Sequence, residues 1–338
     1  MEFVNRVHAQ NIVEWGRTHK DVVVLSGDLT SSCEIDVFRD VFPDRFLSMG
    51  LMEQNMMSFA GGLSMSGYIP FIHTFGVFTY RRPYDQLLAS IAYPRRKIRI
   101  MGFLPGITTP AGMTHQAIED ISVMRTIPNM TVIETGDATE VESICEQANN
   151  VDGPVYCRIL RGSVPRLFDT PLKIGDIRVL NSGTDILLIT SGICTEEALR
   201  ARAALVNAGI SILHLHVHTF KPFNEEKILD LFKAGCVHGP AHASIGQEGG
   251  AIAAISSLGP GDKINGTHRA HHQFLSKFLF HEMSVNYDPR NEDLSASMQE
   301  TIFRSMAEIM GLTPGYCGGR GGSMHMRCLL YTSPSPRD

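Results

Sequence analysis

Long apolar runs are absent from this 338-residue sequence, and none approaches the ~20 residues that a membrane-spanning helix needs. The opening segment, MEFVNRVHAQ, lacks the charged end and the apolar core of a signal peptide. The seven cysteines are scattered and form no CxxC pair, a pattern typical of reduced thiols. These absences predict a cytoplasmic protein without a membrane partner.

An excess of basic charge is also absent. The chain has 30 Lys and Arg against 35 Asp and Glu, a formal net charge of -5, which argues against a nucleic-acid partner. Apolar content, by contrast, is ample. Hydrophobic residues make up 43% of the chain, and this length and composition suit two or three domains with real cores.

Apolar runs of strand length alternate with segments of helical periodicity over the first 160 residues. Such alternation predicts an α/β fold, in which helices cover a parallel sheet and ligands bind beyond the carboxyl ends of the strands. Glu53, His73 and Gly102 lie at or just past such ends. We predict strands at 22–26, 46–49, 69–74, 97–102, 131–134 and 155–160, and helices at 5–18, 52–65, 80–91, 121–125 and 139–149.

One carboxylate, Glu53, falls in the first turn of the helix predicted at 52–65, just after the turn at Gly50. By position alone, Glu53 would stabilise the positive end of the helix dipole. The segment GLMEQN at 50–55 resembles the G-x-x-E-Q turn of the transketolase-like pyrimidine-binding domain of thiamine-diphosphate enzymes. This resemblance implies that Glu53 is catalytic and hydrogen-bonds N1′ of the cofactor's aminopyrimidine, which activates the thiazolium carbon.

The segment HTFGVF at 73–78 resembles the family's stretch whose aromatic ring packs on the aminopyrimidine. Phe78 is the candidate ring, with Phe75 beside it, because an apolar face excludes water and holds the heterocycle by stacking. Without the neighbouring motif, both side chains would be interpreted as core phenylalanines. His73, at the start of the segment, is a candidate substrate ligand.

Two further side chains are implied as substrate ligands. The segment GMTHQ at 112–116 resembles the family's G-x-T-H-Q loop, which implies that His115 donates to a developing oxyanion or moves protons. Arg161 ends a strand where transketolases place an arginine that grips the sugar phosphate. The alternatives are a solvated loop histidine at His115 and an ordinary salt-bridge donor at Arg161.

Two positions depart from the transketolase pattern. Phe103 stands where transketolases carry a histidine for phosphate, and Ala111 stands where they carry an aspartate for a sugar hydroxyl. A polyol phosphate would then have too few hydrogen-bond partners. We therefore expect a smaller or less polar 2-oxo donor.

A second domain is predicted after the proline-bearing loop at 162–176. The strand, helix and strand predicted at 185–191, 195–208 and 211–217 resemble the start of the transketolase C-terminal domain, whose implied role is mainly dimer support. His214, His216 and His218 alternate along the last strand, a spacing that permits a metal site. Because no carboxylate or cysteine is nearby in the sequence, we expect no metal there.

The resemblance changes after residue 230. RAH at 269–271 and GGRGGSMH at 318–325 resemble the alpha subunit of the decarboxylating (E1) component of 2-oxo acid dehydrogenases. This implies that Arg269 and His271 contact the cofactor's diphosphate. The magnesium motif of that family, G-D-G followed by N-N, is not found after GGSMH. The Mg²⁺ ligands are therefore expected from a missing or partner domain.

These segments together predict a chimeric α/β chain. Its predicted parts are a transketolase-like pyrimidine-binding domain at 1–165, a partial C-terminal domain at 174–230, an incomplete E1 alpha-like segment at 231–327 and a non-native tail at 328–338.

The implied function is transfer of a two-carbon unit from a 2-oxo or ketose donor, with thiamine diphosphate and Mg²⁺ as cofactors. We expect a homo-oligomer or a separate diphosphate-binding subunit, and little activity from the chain alone. Two alternatives stay open: a lipoyl-acylating 2-oxo acid dehydrogenase component, and a catalytically dead fragment.

Overall fold

The computed structural model describes residues 2–109, 111–228, 264–265, 295–309, 313–314, 316 and 331–332. The chain divides into two units, Met1–His238 and Gly239–Asp338. The candidates Arg269 and His271 lie outside the described residues, as does most of the segment at 231–327.

The first unit alternates strands and helices through most of its length. Its strands are β1 (Phe3–Asn5), β2 (Val22–Ser26), β3 (Phe46–Ser48), β4 (Ile69–Phe75), β5 (Arg99–Phe103), β6 (Thr131–Glu134), β7 (Val155–Ile159), β8 (Ser163–Pro165), β9 (Arg178–Asn181), β10 (Ile186–Thr190), β11 (Ile212–His216) and β12 (Thr219–Lys221). Its helices are α1 (Val7–Thr18), α2 (Asp36–Val41), α3 (Glu53–Met65), α4 (Tyr84–Gln86), α5 (Asp120–Thr126), α6 (Ala138–Asn149) and α7 (Cys194–Asn207).

A seven-stranded sheet with the order β12-β6-β7-β5-β4-β2-β3 forms the centre of this unit. Its neighbouring strands are parallel, except that β12 runs antiparallel to β6 at the edge. Every residue of β2, β4, β5 and β7 is buried, as expected for parallel strands covered on both faces. The α/β fold with a mostly parallel sheet is therefore confirmed.

The register of these strands brings their carboxyl ends together. Ser26 of β2 pairs with His73 of β4, and Phe75 of β4 pairs with Phe103 of β5, which in turn pairs with Ile159 of β7. Loops that leave these strands therefore start from one edge of the sheet, where ligands bind in folds of this kind.

A second, smaller sheet in the same unit has the order β10-β11-β9. β10 and β11 are parallel and β9 is antiparallel, with α7 between β10 and β11 in the sequence. β12 follows β11 directly and adds to the edge of the large sheet. The segment that leaves the small sheet is therefore hydrogen-bonded, through β12 and β6, to the edge of the large sheet.

Most predicted boundaries agree with the structure to within two residues, but one helix differs and several short elements are additional. The helix predicted at 80–91 is a single turn, α4, that continues into a π-helical segment at Leu87–Ala92. It begins late because Pro83 precedes it, and proline has no N–H for a helix interior. The short helix α2 and the short strands β1, β8, β9 and β12 were not predicted.

In the second unit, the described residues form helix α8 (Ala296–Ile309) and a short parallel pair, β13 (Ile264–Asn265) with β14 (Tyr331–Thr332). Throughout the described part of the chain, no helix is both long and apolar enough to cross a membrane.

Candidate active site

Glu53 is the first residue of α3, and only 3% of it is exposed. At the end of β3, the N–H of Met49 donates to the carbonyl oxygen of Ser26, 2.9 Å away. Gly50 then turns the chain with a φ of 71°, a left-handed conformation that glycine adopts without strain. This turn places the Glu53 carboxylate at the carboxyl edge of the sheet and at the positive end of the α3 dipole.

Arg82 connects Glu53 to the aromatic segment. Its Nη1 donates to Glu53 Oε1 over 2.8 Å, and its guanidinium lies 4.2 Å from the centre of the Phe78 ring. The carboxylate and the ring face are therefore within reach of one guanidinium group. Sequence reasoning missed Arg82, and the only signal for it was the arginine pair that follows HTFGVF.

Three rings cluster beside this pair. The Phe75 and Phe78 ring centres are 6.0 Å apart with an interplanar angle of 23°. His115 meets both edge-on, at 5.5 Å from Phe78 and 6.1 Å from Phe75. Both phenylalanines are buried. The edge-to-face geometry is one that aromatic rings favour.

The loop that carries His115 is anchored by Arg81, which the sequence also did not single out. Arg81 Nη1 donates to the Met113 carbonyl over 2.6 Å, and the same guanidinium pairs with Glu119. The His115 N–H donates to Gly112 O (2.9 Å). His115 Nδ1 is hydrogen-bonded to the Thr114 hydroxyl (2.9 Å), so Nε2 is the nitrogen that can serve a ligand.

Arg161 follows β7 and reaches the same cluster. Its guanidinium lies 6.0 Å from the centre of the Phe75 ring, and its Nη1 donates to the carbonyl of Ser32 over 3.0 Å. The interaction with Ser32 ties the loop after β2 to the loop after β7. Arg161 is exposed, and its guanidinium can approach a ligand from the edge of the site.

His73 occupies a different environment. It is fully buried in β4, with Nε2 2.9 Å from Nε2 of His8 and Nδ1 3.1 Å from the Phe71 carbonyl. Burial lowers the pKa of both imidazoles, that of His8 to about 3. Phe103, also fully buried, packs edge-on against His8 at 5.4 Å. Both ring nitrogens of His73 already have partners within the protein. A substrate contact by His73 therefore gains no support from this geometry and stays a prediction.

The structure thus brings five predicted residues into one continuous group, through Arg82 and through ring contacts: Glu53, Phe75, Phe78, His115 and Arg161. A buried carboxylate next to an aromatic face fits the aminopyrimidine end of thiamine diphosphate, which offers N–H and ring-nitrogen groups and a flat ring. Within the described residues, no group of three His, Cys, Asp or Glu side chains could hold a metal ion.

Two family models match the chain: "Transketolase, pyrimidine binding domain" at residues 5–166 and "Transketolase, C-terminal domain" at residues 175–257. The chain belongs to the transketolase family, whose domains imply thiamine diphosphate binding. The roles of the individual site residues stay predictions. The second match runs past residue 230, where the sequence resembles a dehydrogenase alpha subunit. That resemblance and all of the domain limits stay predictions.

Among curated relatives, an uncharacterized transketolase family protein of Sinorhizobium fredii, y4mN, is 40% identical over 239 residues, covering 69% of each chain. The 6-deoxy-6-sulfo-D-fructose transketolase subunit SqwH of Clostridium sp. is 37% identical, covering 69% of this chain and 74% of its own. One of the subunits of the apulose-4-phosphate transketolase of Phocaeicola vulgatus is 29% identical, covering 64% of this chain and 71% of its own.

A solved structure named "Split gene transketolase, inactive beta4 tetramer" superimposes with a TM-score of 0.61 at 37% identity, covering 66% of this chain and 74% of the other. The transketolase of Campylobacter jejuni, at 19% identity and a TM-score of 0.60, shares the fold.

Proposed function

We propose that this chain is the pyrimidine-binding subunit of a transketolase-type enzyme that transfers a two-carbon unit from a ketose or related 2-oxo donor. The observation that carries the proposal is the adjacency of Glu53 and Phe78. The buried carboxylate at the head of α3 and the aromatic ring both contact the guanidinium of Arg82. An acid and a ring face in this relation suit an aminopyrimidine.

Thiamine diphosphate, when bound, supplies a nucleophilic carbon for attack on the donor's carbonyl group. The chain's own residues have separate tasks. Glu53 shares a proton with the pyrimidine ring at a carboxylate oxygen. Phe75 and Phe78 hold the ring and exclude water. His115 Nε2 donates to, or takes a proton from, the oxygen of the reacting carbonyl group, and Arg161 binds the far part of the donor.

A second polypeptide completes the site in this proposal by supplying the diphosphate and Mg²⁺ ligands. Two of the relatives named above are transketolase subunits. Large apolar side chains are exposed on α3, which begins at Glu53, and just before it: Leu51, Met52, Phe59 and Met65. An exposed apolar surface of this kind is typical of a protein–protein interface.

The proposal is tested by calorimetry of thiamine diphosphate and Mg²⁺ binding, with the chain alone and with a diphosphate-domain subunit from a split transketolase. Turnover of ketose donors is measured on the same samples. We expect binding and turnover only in the mixture, and Glu53→Gln to reduce kcat by about 10²–10⁴-fold. The control Glu142→Gln removes an exposed carboxylate on α6 and should leave turnover unchanged.

Absence of thiamine diphosphate binding in both samples would contradict the proposal. Full turnover by Glu53→Gln would contradict only the role assigned to Glu53 and not the proposed reaction. Turnover of a 2-oxo acid with a lipoyl acceptor, in place of a ketose, would assign the chain to the dehydrogenase class.

A further inference from the structure

A second carboxylate lies at the edge of the candidate site and has no part in the function proposed above. Glu34 is only 4% exposed. Its Oε1 accepts a hydrogen bond from the N–H of Gly162, 2.6 Å away. Its Oε2 is buried and has no hydrogen-bond partner among the described residues. One oxygen of this side chain is therefore fixed by the backbone of Gly162, and the other is buried with an unfilled acceptor position.

The backbone at Glu34 is also unusual. Its φ is 56°, a left-handed conformation that a residue with a Cβ adopts at a cost in free energy. A buried carboxylate oxygen without a donor adds a further cost. Costs of this kind persist where the surrounding structure imposes them, and they concentrate at binding sites.

Arg161 connects Glu34 to the candidate site. The Arg161 guanidinium binds the carbonyl of Ser32, two residues before Glu34, and lies 6.0 Å from the Phe75 ring centre. Burial raises the pKa of Glu34, and the hydrogen bond from Gly162 and the positive charges of Arg6 and Arg161 act in the opposite direction. Arg161 therefore contacts both the loop that carries Glu34 and the aromatic cluster.

The charges at this edge of the site balance. Arg6 pairs with Asp36, and the Glu34 carboxylate is hydrogen-bonded to the N–H of Gly162, the residue that follows Arg161. Two arginines thus face two carboxylates. A phosphate or sulfonate brought to Arg161 would meet a buried carboxylate of its own sign, and like charges in a poorly solvated site repel strongly. A hydroxyl group, in contrast, can donate to Oε2 and satisfy it.

We propose that Glu34 determines substrate class: it keeps phosphate and sulfonate end groups away from Arg161 and selects a donor ketose whose far end carries a hydroxyl group. This inference rests on the proposed function for its reaction. The repulsion itself is a property of the chain, and it can be measured without the cofactor.

The test measures inorganic phosphate binding to the full chain by calorimetry, at constant ionic strength because screening would otherwise change with each addition. We expect weak binding to the wild-type chain and at least ~10-fold tighter binding to Glu34→Gln, which removes the like charge. The gain should disappear in Glu34→Gln combined with Arg161→Gln. Glu142→Gln makes the same change in net charge away from this cluster and should not bind phosphate more tightly.

If Glu34→Gln does not fold, Glu34→Asn serves in its place, because asparagine tolerates the left-handed conformation better than most residues. Equal phosphate affinity of wild type and variant would overturn the inference. The reconstituted mixture gives a second readout: the ratio of kcat/KM for D-fructose 6-phosphate to that for D-fructose should rise at least ~10-fold in Glu34→Gln. An unchanged ratio would also overturn it, whereas a failure of the proposed function would appear as absent thiamine diphosphate binding.

Discussion

At the residue scale, Arg158 joins buried groups from several segments beneath the candidate site. Its Nε donates to Asp120 Oδ2 (2.9 Å), its Nη1 to Glu134, and its Nη2 to the Ala117 carbonyl (3.1 Å). The Tyr156 hydroxyl donates to the same Asp120 oxygen (2.6 Å). Burial raises the pKa of Asp120, and the charge of Arg158 acts in the opposite direction. Ala117 follows the GMTHQ loop, so Arg158 also supports the base of the loop that carries His115.

We predict that Arg158→Met lowers the free energy of unfolding by about 3–5 kcal/mol at neutral pH, because Asp120 and Glu134 are then buried without their cation. The deficit should shrink as the pH falls and Asp120, whose pKa is raised by burial, takes up a proton. Urea unfolding at several pH values measures both effects. Arg200→Met, which removes an exposed ion pair with Glu197, should change stability by less than about 1 kcal/mol. Arg158→Met with wild-type stability would contradict the role assigned to this network.

The buried pair His8 and His73 predicts a pH dependence of stability. The folded pKa of His8 is about 3, lowered by burial from its ordinary value of 6.5. The stability gained from the neutral ring is present above pH 6.5 and is lost as the pH falls through the folded value, because the unfolded chain binds the proton first. His8→Gln should therefore show a smaller loss of unfolding free energy between neutral and acidic pH. Identical slopes for wild type and variant in urea titrations would refute this assignment.

At the element scale, the position of Glu53 depends on how closely α3 packs against the π-helical segment. A Cβ added to Gly61 would lie 2.7 Å from the carbonyl oxygen of Ser90, whereas a Cβ on Gly62 would meet no atom within 4 Å. The two neighbouring glycines therefore differ in their surroundings. Gly61 permits the close approach of two segments, and Gly62 faces open space.

This difference gives a matched pair of variants. Gly61→Ala should destabilise the fold by about 1–3 kcal/mol, because α3 must move away from Ser90. It should also weaken thiamine diphosphate binding in the reconstituted mixture, since Glu53 moves with the helix. Gly62→Ala should be neutral or stabilise the fold by up to ~1 kcal/mol, because alanine favours helix. Thermal unfolding measures the stability of both variants, and calorimetry measures their affinity for thiamine diphosphate. Equal stability and equal affinity of the two variants would show that the packing at Gly61 does not determine the position of Glu53.

Prediction from the sequence succeeded where the signal is local. The bounds of β2 and β6 were predicted to the residue because short apolar runs end at clear turn signals. Glu53, Phe78 and His115 stand in contiguous motifs, and the structure brings them into one group, while their roles stay predictions. Arg82 and Glu34 were missed because their roles depend on partners 29 and 128 residues away in the sequence. Such pairings are set by the fold and leave no periodic pattern.

At the scale of the whole first unit, the two sheets meet around one buried carboxylate. Glu140 on α6 is fully buried and accepts hydrogen bonds from His216 Nε2 on β11 (3.1 Å), Arg178 Nε on β9 (2.9 Å) and the Gly136 N–H (2.8 Å). Burial would raise its pKa, but the interactions with His216 and His218 and the hydrogen bond from Gly136 together outweigh burial and lower the pKa to about 2. The second sheet is therefore attached to the first by an ionised group.

Glu140→Gln should consequently separate the unfolding of the two sheets. The amide keeps the shape of the side chain but loses the charge, so Arg178 and His216 face a neutral group, and the loss should be about 3–5 kcal/mol. Because the folded pKa is depressed, the stabilisation in the wild type is present above pH 4.5 and is lost as the pH falls toward 2. Scanning calorimetry at neutral pH should show one transition for the wild type and two for Glu140→Gln, since the remaining links, among them the β12–β6 pairing and the Ser191–Glu134 hydrogen bond, hold the sheets less strongly. The control Glu142→Gln, on the exposed side of the same helix, should keep the single transition. A single transition in Glu140→Gln as well would mean that packing, and not this carboxylate, couples the two sheets.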